Sequence, residues 1–175
     1  MVVPTLNFKV LYVLVIISHA RRKIECFAIT EHPTAEWLIQ QIRNATPFGK
    51  QPKYLIHDNS GEFRSLLFRQ YLAKINIVSK NITPHSPWQN GICERLIGTL
   101  RRELLNYAVP LNQRHLERLL EEYVDFYNTI RPHKTLGGKP PVVCDIKLPL
   151  TKAADVRLKA TPILGGLYHS HQRVA

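Results

Sequence analysis

Acidic residues are scarce in this chain: 13 Asp and Glu stand against 24 Lys and Arg, and none occurs between Met1 and Ile24. The formal net charge is +11. An excess of this size fits a polyanionic partner such as nucleic acid, an acidic membrane surface, or simply a solvated basic face. Cysteine is also sparse. Cys26, Cys93 and Cys144 are odd in number and lack metal-type spacing, which excludes a disulfide framework and a zinc knuckle and suits a reducing cytosol. No apolar run is long enough to span a bilayer as a helix, since the longest, Val10 to Ile17, has eight residues. Ser18-His19-Ala20 follows that run like a signal-peptidase site. Lys9 is the only basic side chain before it, however, and Arg21-Arg22-Lys23 crowds the cut, so the run reads as a buried strand and not a leader. The expectation is a cytoplasmic protein without a membrane partner.

The 175 residues suffice for one domain with a real core. Val10 to Ile17 and Lys23 to Thr30 read as neighbouring strands, and Thr34 to Ala45 as a helix with Trp37, Leu38, Ile39 and Ile42 at helical spacing. Lys53 to His57 is strand-like, Ser65 to Lys74 helical, and Ile75 to Val78 a brief strand. Ser79 to Gly91 should be a loop. Asn90 to Leu105 and about Asn112 to Ile130 are amphipathic helices. Strands alternating with helices predict an α/β sheet with some parallel pairing. Residues 1–141 would hold this core, and residues 142–175 an extended C-terminal tail with little core of its own.

Two carboxylates stand out. Asp58 ends a predicted strand at the Asp58-Asn59-Ser60-Gly61 turn, where open α/β sheets bind ligands; the same four residues are also an ordinary polar turn. Glu94, with 35 residues between it and Asp58, falls on a helical face with Asn90, Gly98 and Arg101, away from the buried stripe of Leu96, Leu100 and Leu104. A Glu in a first helical turn can merely complement the helix dipole. Gly91 and Gly98 nevertheless cost helix stability and leave room for a ligand. Two carboxylates brought together can hold divalent metal ions against a phosphodiester. Arg95, Arg101 and Arg102 offer phosphate partners, although the last two could simply solvate the helix end. Trp88 either stacks on a base or braces its loop. His169 and His171 form a metal-capable pair that, in a terminal tail, is more simply solvated.

Three segments in order resemble the catalytic core of retroviral-type integrases and insertion-sequence transposases of the DDE type. They are His57-Asp58-Asn59, Ser86-Pro87-Trp88-Gln89-Asn90-Gly91-Ile92-Cys93-Glu94-Arg95, and Tyr127-Asn128-Thr129-Ile130-Arg131-Pro132-His133. The interval between Asp58 and Glu94 matches that family's second and third carboxylates. The similarity runs from about Leu11 to Pro141, and Leu164-Gly165-Gly166-Leu167 resembles the transposase-type tail. The resemblance implies an RNase H-like fold, a five-stranded mixed sheet flanked by helices. It also implies two Mg²⁺ or Mn²⁺ ions held by three acidic residues, with Asp58 and Glu94 as two catalytic metal ligands. Asn59, Trp88, Gln89, Asn90, Arg95, Arg101 and Arg102 would then contact DNA. The implied partners are transposon ends and target DNA, with a homo-oligomer or a mixed assembly with an intact transposase. The chemistry would be nicking of an end, then attack of its 3′-hydroxyl on the target by in-line displacement.

The chain departs from that pattern at its start. The family's first aspartate lies on the first strand of the sheet, and Met1-Val2-Val3-Pro4 is expected to fall just beyond it. The expectation is therefore an N-terminally truncated core without its first strand or the upstream helix-turn-helix, inactive alone and impaired in metal binding. The alternative is a non-catalytic DNA-binding or oligomerising fragment that modulates an intact transposase.

Overall fold

Every position from Val10 to Ile17 is apolar because the middle of this strand is covered on both faces. Side chains alternate across a strand. Leu11 and Val13 accordingly enter one cluster with Leu96, Leu100, Leu104, Leu116, Leu120 and Tyr123, and Val15 and Ile17 pack against it. Leu14 and Ile16 point the other way, onto Leu38, Ile42, Phe68 and Leu72. A stretch covered on both faces needs no polar positions, which accounts for Val13 to Ile17; Val10 and Tyr12 remain exposed.

The computed structural model describes residues 1–47, 49, 51–84, 86–143 and 157–174. Cys144 lies outside them. The strands are β1 (Val2–Pro4), β2 (Val10–Ile17), β3 (Ile24–Thr30), β4 (Tyr54–His57), β5 (Val78–Asn81), β6 (Arg157–Ile163) and β7 (Tyr168–Val174). The α-helices are α1 (Ala35–Ala45), α2 (Gly61–Arg64), α3 (Leu66–Lys74), α4 (Gly91–Leu100) and α5 (Gln113–Thr129). Helix starts are capped by side chains: Thr34, Ser65 and Asn112 accept hydrogen bonds from Trp37, Phe68 and His115 N–H. No helix among the described residues is long and apolar enough to cross a membrane.

β1, β2 and β3 form an antiparallel ladder in that order, and β4 and β5 a separate parallel pair. The sheet is therefore mixed, with its two halves unjoined by any described ladder. Met1–Pro4, expected to fall just beyond the first strand, contributes a short strand: Val2–Pro4 pairs with Val10–Tyr12, and Val3 is buried on the α4–α5 side and anchors the register. β5 begins at Val78, not Ile75. Asn76, at φ 57°, turns the chain after α3, and a left-handed residue suits a turn and not a strand.

Two further expectations change. Beyond α4 the helix widens into a π-helical turn over Arg101–Leu105, with Asn106 N–H bonded to the Arg101 carbonyl. The last described segment is not extended and coreless but a β6–β7 hairpin, paired from Arg157↔Val174 to Ile163↔Tyr168. Gly165 and Gly166 take φ of 64° and 96° at its connection, a conformation open to glycine at little cost. Ile163 is buried in the larger core cluster, and the Tyr168 ring stacks on Phe126 at 4.7 Å.

Candidate active site

β4 carries His57 into the interior and leaves Asp58 exposed at its end. His57 is fixed from three sides: one ring nitrogen lies 2.7 Å from the Asp58 carbonyl, the other 2.7 Å from Ser79 Oγ, and the ring stacks on Phe63 at 4.6 Å. Asp58 Oδ1 accepts the Ser60 N–H at 3.0 Å, and Asn59 Nδ2 donates to the Ile82 carbonyl at 2.6 Å. The turn after β4 is thus locked to β5, and Asn59 serves the backbone. Asp58 keeps its second carboxylate oxygen for another partner.

Glu94 is exposed in the first turn of α4. Both carboxylates act on the same two groups, the Met1 ammonium and the Cys93 thiol. Burial lowers the pKa of the Met1 ammonium, while Cys93, Asp58 and Glu94 oppose the shift and Arg101 adds to it. Burial pushes the Cys93 thiol up, helped by Glu94 and Asp58, so it stays protonated and is no nucleophile. Asp58, Glu94, Cys93 and Arg101 therefore share one neighbourhood. Among the described residues no group of three His, Cys, Asp or Glu side chains is placed to hold a metal ion.

The other predicted contacts separate by role. Trp88 is 73% exposed on the 3-10 turn Pro87–Asn90, so it does not brace the loop. Gln89 does: its Oε1 accepts the Thr83 N–H at 2.7 Å and its Nε2 donates to Thr83 Oγ1 at 3.1 Å. Asn90 is buried and its side chain bonds to Cys93. Arg95 and Arg101 are exposed, and Arg101 alone of the three arginines acts on Met1 beside the carboxylates. Arg102 folds back over Gly98, where an added Cβ would meet its Nη1 at 3.1 Å. The room expected at Gly98 is thus filled by Arg102. His169 and His171 are exposed on β7, with ring centroids 6.5 Å apart.

Polar residues with no assigned role in the sequence reading hold the site's supports together. Glu103 accepts from Arg131 through both carboxylate oxygens, at 2.5 and 2.8 Å, and from the Tyr123 hydroxyl at 2.7 Å, while its carbonyl accepts the Tyr168 hydroxyl at 2.8 Å. Burial alone would raise the Glu103 pKa; the bonds from Arg131 and Tyr123 outweigh it and hold the carboxyl below its ordinary value. Asn128 Oδ1 accepts from Ile24 N–H and its Nδ2 donates to the Ile24 carbonyl, each at 3.0 Å. The Tyr127 to His133 motif is thus a clamp on β3 and on the π-helical turn after α4. Tyr127, Asn128 and His133 are buried, and only their place in a motif could have signalled them.

Comparison with known proteins agrees with this geometry. The integrase core domain family matches residues 75–141. A 39.2 kDa insertion element IS476 protein from Xanthomonas euvesicatoria is 26% identical over 133 residues, 69% of this chain and 38% of that protein. A putative transposase InsD for insertion element IS2E from Escherichia coli K12 is 28% identical over 90 residues, 51% of this chain and 41% of that protein. The chain thus spans well under half of these relatives. Among solved structures, a chain of the simian T-cell lymphotropic virus intasome superimposes with a TM-score of 0.69 at 16% identity, over 99% of this chain and 65% of that one. The HTLV-2 integrase catalytic core domain in complex with magnesium gives 0.62 at 16% identity, over 81% and 89%. The fold is accordingly the mixed α/β, RNase H-like fold of retroviral integrase cores, and the sequence is similar to the integrase core domain family over residues 75–141 and to insertion-element transposases.

Proposed function

We propose that this chain acts in DNA integration or transposition, as a DNA-binding integrase-type core whose 175 residues do not catalyse strand transfer by themselves. The observation that carries the reading is the shared neighbourhood of Asp58 and Glu94, one ending β4 and the other opening α4, each acting on Met1 and Cys93. Both are exposed, hard oxygen donors of the kind that Mg²⁺ and Mn²⁺ prefer. Among the described residues the donor set therefore fits such an ion in kind and falls short in number. An ion held by these two carboxylates would supply charge stabilisation to a phosphodiester in displacement.

The protein's own contributions are positional. His57, held by Ser79 and Phe63, fixes the end of β4 from which Asp58 projects. Gln89 fixes the turn that leads into α4 and Glu94. Arg95 and Arg101 are the candidates for phosphate contact, and the exposed Trp88 for stacking on an unpaired base. Arg102, engaged over Gly98, and Asn59, Gln89 and Asn90, engaged with the protein, would reach DNA only on rearrangement. The magnesium-bound dimeric and trimeric forms of the HTLV-2 core favour divalent-ion dependence and self-assembly here as well. A cytoplasmic location accords with the reduced cysteines.

A second reading follows from the well-buried core clusters, which form although, among the described residues, no group of three metal-capable side chains is placed together. The folded chain would bind DNA, or join mixed assemblies with an intact transposase, and modulate it without turnover. DNA binding and Mg²⁺-dependent joining, measured on the same preparation, test both readings. Salt-sensitive binding without joined product favours the non-catalytic account, and absence of binding at low salt counts against both.

A further inference from the structure

A terminal tail holds no side chain in place, which is why the sequence leaves His169 and His171 as a solvated pair. The structure puts them on a register-locked hairpin instead. Ile163 is buried in the core, the Tyr168 ring stacks on Phe126 at 4.7 Å, and the Tyr168 hydroxyl donates to the Glu103 carbonyl at 2.8 Å. The strand that carries the two histidines is therefore anchored at the residue just before them.

Side chains alternate along β7, so His169 and His171 leave one face while Tyr168 and Ser170 turn to the other. Two residues of strand advance about 6.7 Å, and the imidazole centroids lie 6.5 Å apart. Across the ladder Pro162 faces His169 and Ala160 faces His171, and paired residues share a face. Both are short, exposed and uncharged, so the rings stand clear of them. Lys159 shares the other face with Thr161 and Ile163, and its ammonium does not meet a cation held by the rings. Among the described residues neither imidazole is committed to a hydrogen bond, whereas His57, His115 and His133 each engage a protein group.

Imidazole nitrogens suit Ni²⁺, Cu²⁺ and Zn²⁺, and carboxylate oxygens suit Mg²⁺ and Mn²⁺. An ion bonded to one nitrogen of each ring at about 2.1 Å brings the centroids to roughly 5 Å. Both side chains are exposed, and rotation about χ1 and χ2 closes that gap without moving the backbone. Once one imidazole holds the ion, the second binds it intramolecularly, which is the source of chelate affinity.

We propose that His169 and His171 form a bidentate site for Ni²⁺, Cu²⁺ or Zn²⁺ on the outer face of β7, with water completing the coordination shell. The site differs from Asp58 and Glu94 in its elements and in its chemistry, and it stands independently of the DNA reading.

The probe is Ni²⁺, titrated calorimetrically into the full chain in a non-chelating buffer with excess Mg²⁺ present. One ion should bind per chain. His169→Ala and His171→Ala should each weaken binding by about tenfold or more, since either loss removes the chelate. His32→Ala, which removes an exposed histidine just after β3, should leave it unchanged. Ala160→His sets a third imidazole directly across from His171 and should tighten binding by about tenfold or more. The amide resonances of His169, Ser170 and His171 should be the ones most broadened by the paramagnetic ion. Unchanged affinity in both alanine variants, competition by Mg²⁺, or broadening confined to other residues overturns the proposal. Two chains per ion, with metal-dependent dimerisation, also overturns it, because a second copy and not water would then complete the shell. DNA binding by the metal-free chain, run in parallel, keeps the readings apart: its absence sinks the functional account and leaves this site standing.

Discussion

Arg131, just beyond α5, ties the end of that helix to Glu103 in the π-helical turn: the Arg131 Nη2 and Nε donate to the two Glu103 oxygens at 2.5 and 2.8 Å, in a pair about three-quarters buried at both side chains. A planar guanidinium matches a carboxylate in this way, and an ammonium does not. Arg131→Ala should lower unfolding free energy by about 2 kcal/mol, and Arg131→Lys should recover only part of it. Urea denaturation measures both. Equal stability of the lysine variant and the parent would show that charge alone suffices.

The same residues set an acid limit. Glu103 has its folded pKa depressed, so its contribution is present above its unfolded value and is lost as pH falls through the folded one, below about 4.3. His133 is also lowered, chiefly by burial, with the Tyr127 carbonyl opposing and Arg131 assisting. Its unfolded form binds the proton better, so stability should begin to fall below about pH 6.5. Glu103→Gln should flatten the lower limb and His133→Phe the upper one, in stability measured against pH.

Asn128 satisfies both backbone groups of Ile24 from inside the core. Asn128→Ala leaves that N–H and C=O buried without partners, which should cost about 2 to 3 kcal/mol. Asn128→Asp keeps the acceptor and loses the donor, and should be no better. Thermal denaturation with an amide-exchange readout at Ile24 would reveal the loss directly.

The strongly periodic parts of this fold were readable from sequence, and the reasons are local. β2 announces itself because both its faces are buried, and α1, α3 and α5 because caps at Thr34, Ser65 and Asn112 precede apolar stripes. The hairpin β6–β7 was missed because it docks through a few points, chiefly Ile163 and Tyr168, while Leu158 stays exposed. Glu103 and Arg131 lie 28 residues apart, and pairing over that distance leaves no periodic trace. In the candidate site, spacing singles out Asp58 and Glu94 as candidates, and both are exposed at element ends. The engagement of Gln89 with Thr83, and of Arg102 with Gly98, depends on side-chain reach that no pattern encodes.

Gly98 sits inside α4, where alanine is the better helix former by just under about 1 kcal/mol. The only close neighbour of an added Cβ is the mobile end of Arg102. Gly98→Ala should therefore stabilise the chain slightly and free the Arg102 guanidinium. A small rise in Tm with unchanged or tighter DNA binding is expected; a fall in Tm would mean that Arg102 cannot give way.

Arg95 on α4 and Arg101 at the start of the π-helical turn are both exposed, and Arg101 acts on the Met1 ammonium as the two carboxylates do. Replacing either by alanine should weaken DNA binding without regard to sequence, and reduce the salt dependence by about one phosphate contact each. Titrations at several salt concentrations read that slope.

Joining of labelled donor ends to target DNA by the purified 175-residue chain in Mg²⁺ or Mn²⁺ tests the account at its centre. The account predicts DNA binding that weakens with salt, and no joined product above a control lacking metal. Robust metal-dependent joining, abolished by Asp58→Asn or Glu94→Gln, would contradict it by showing that these two carboxylates suffice.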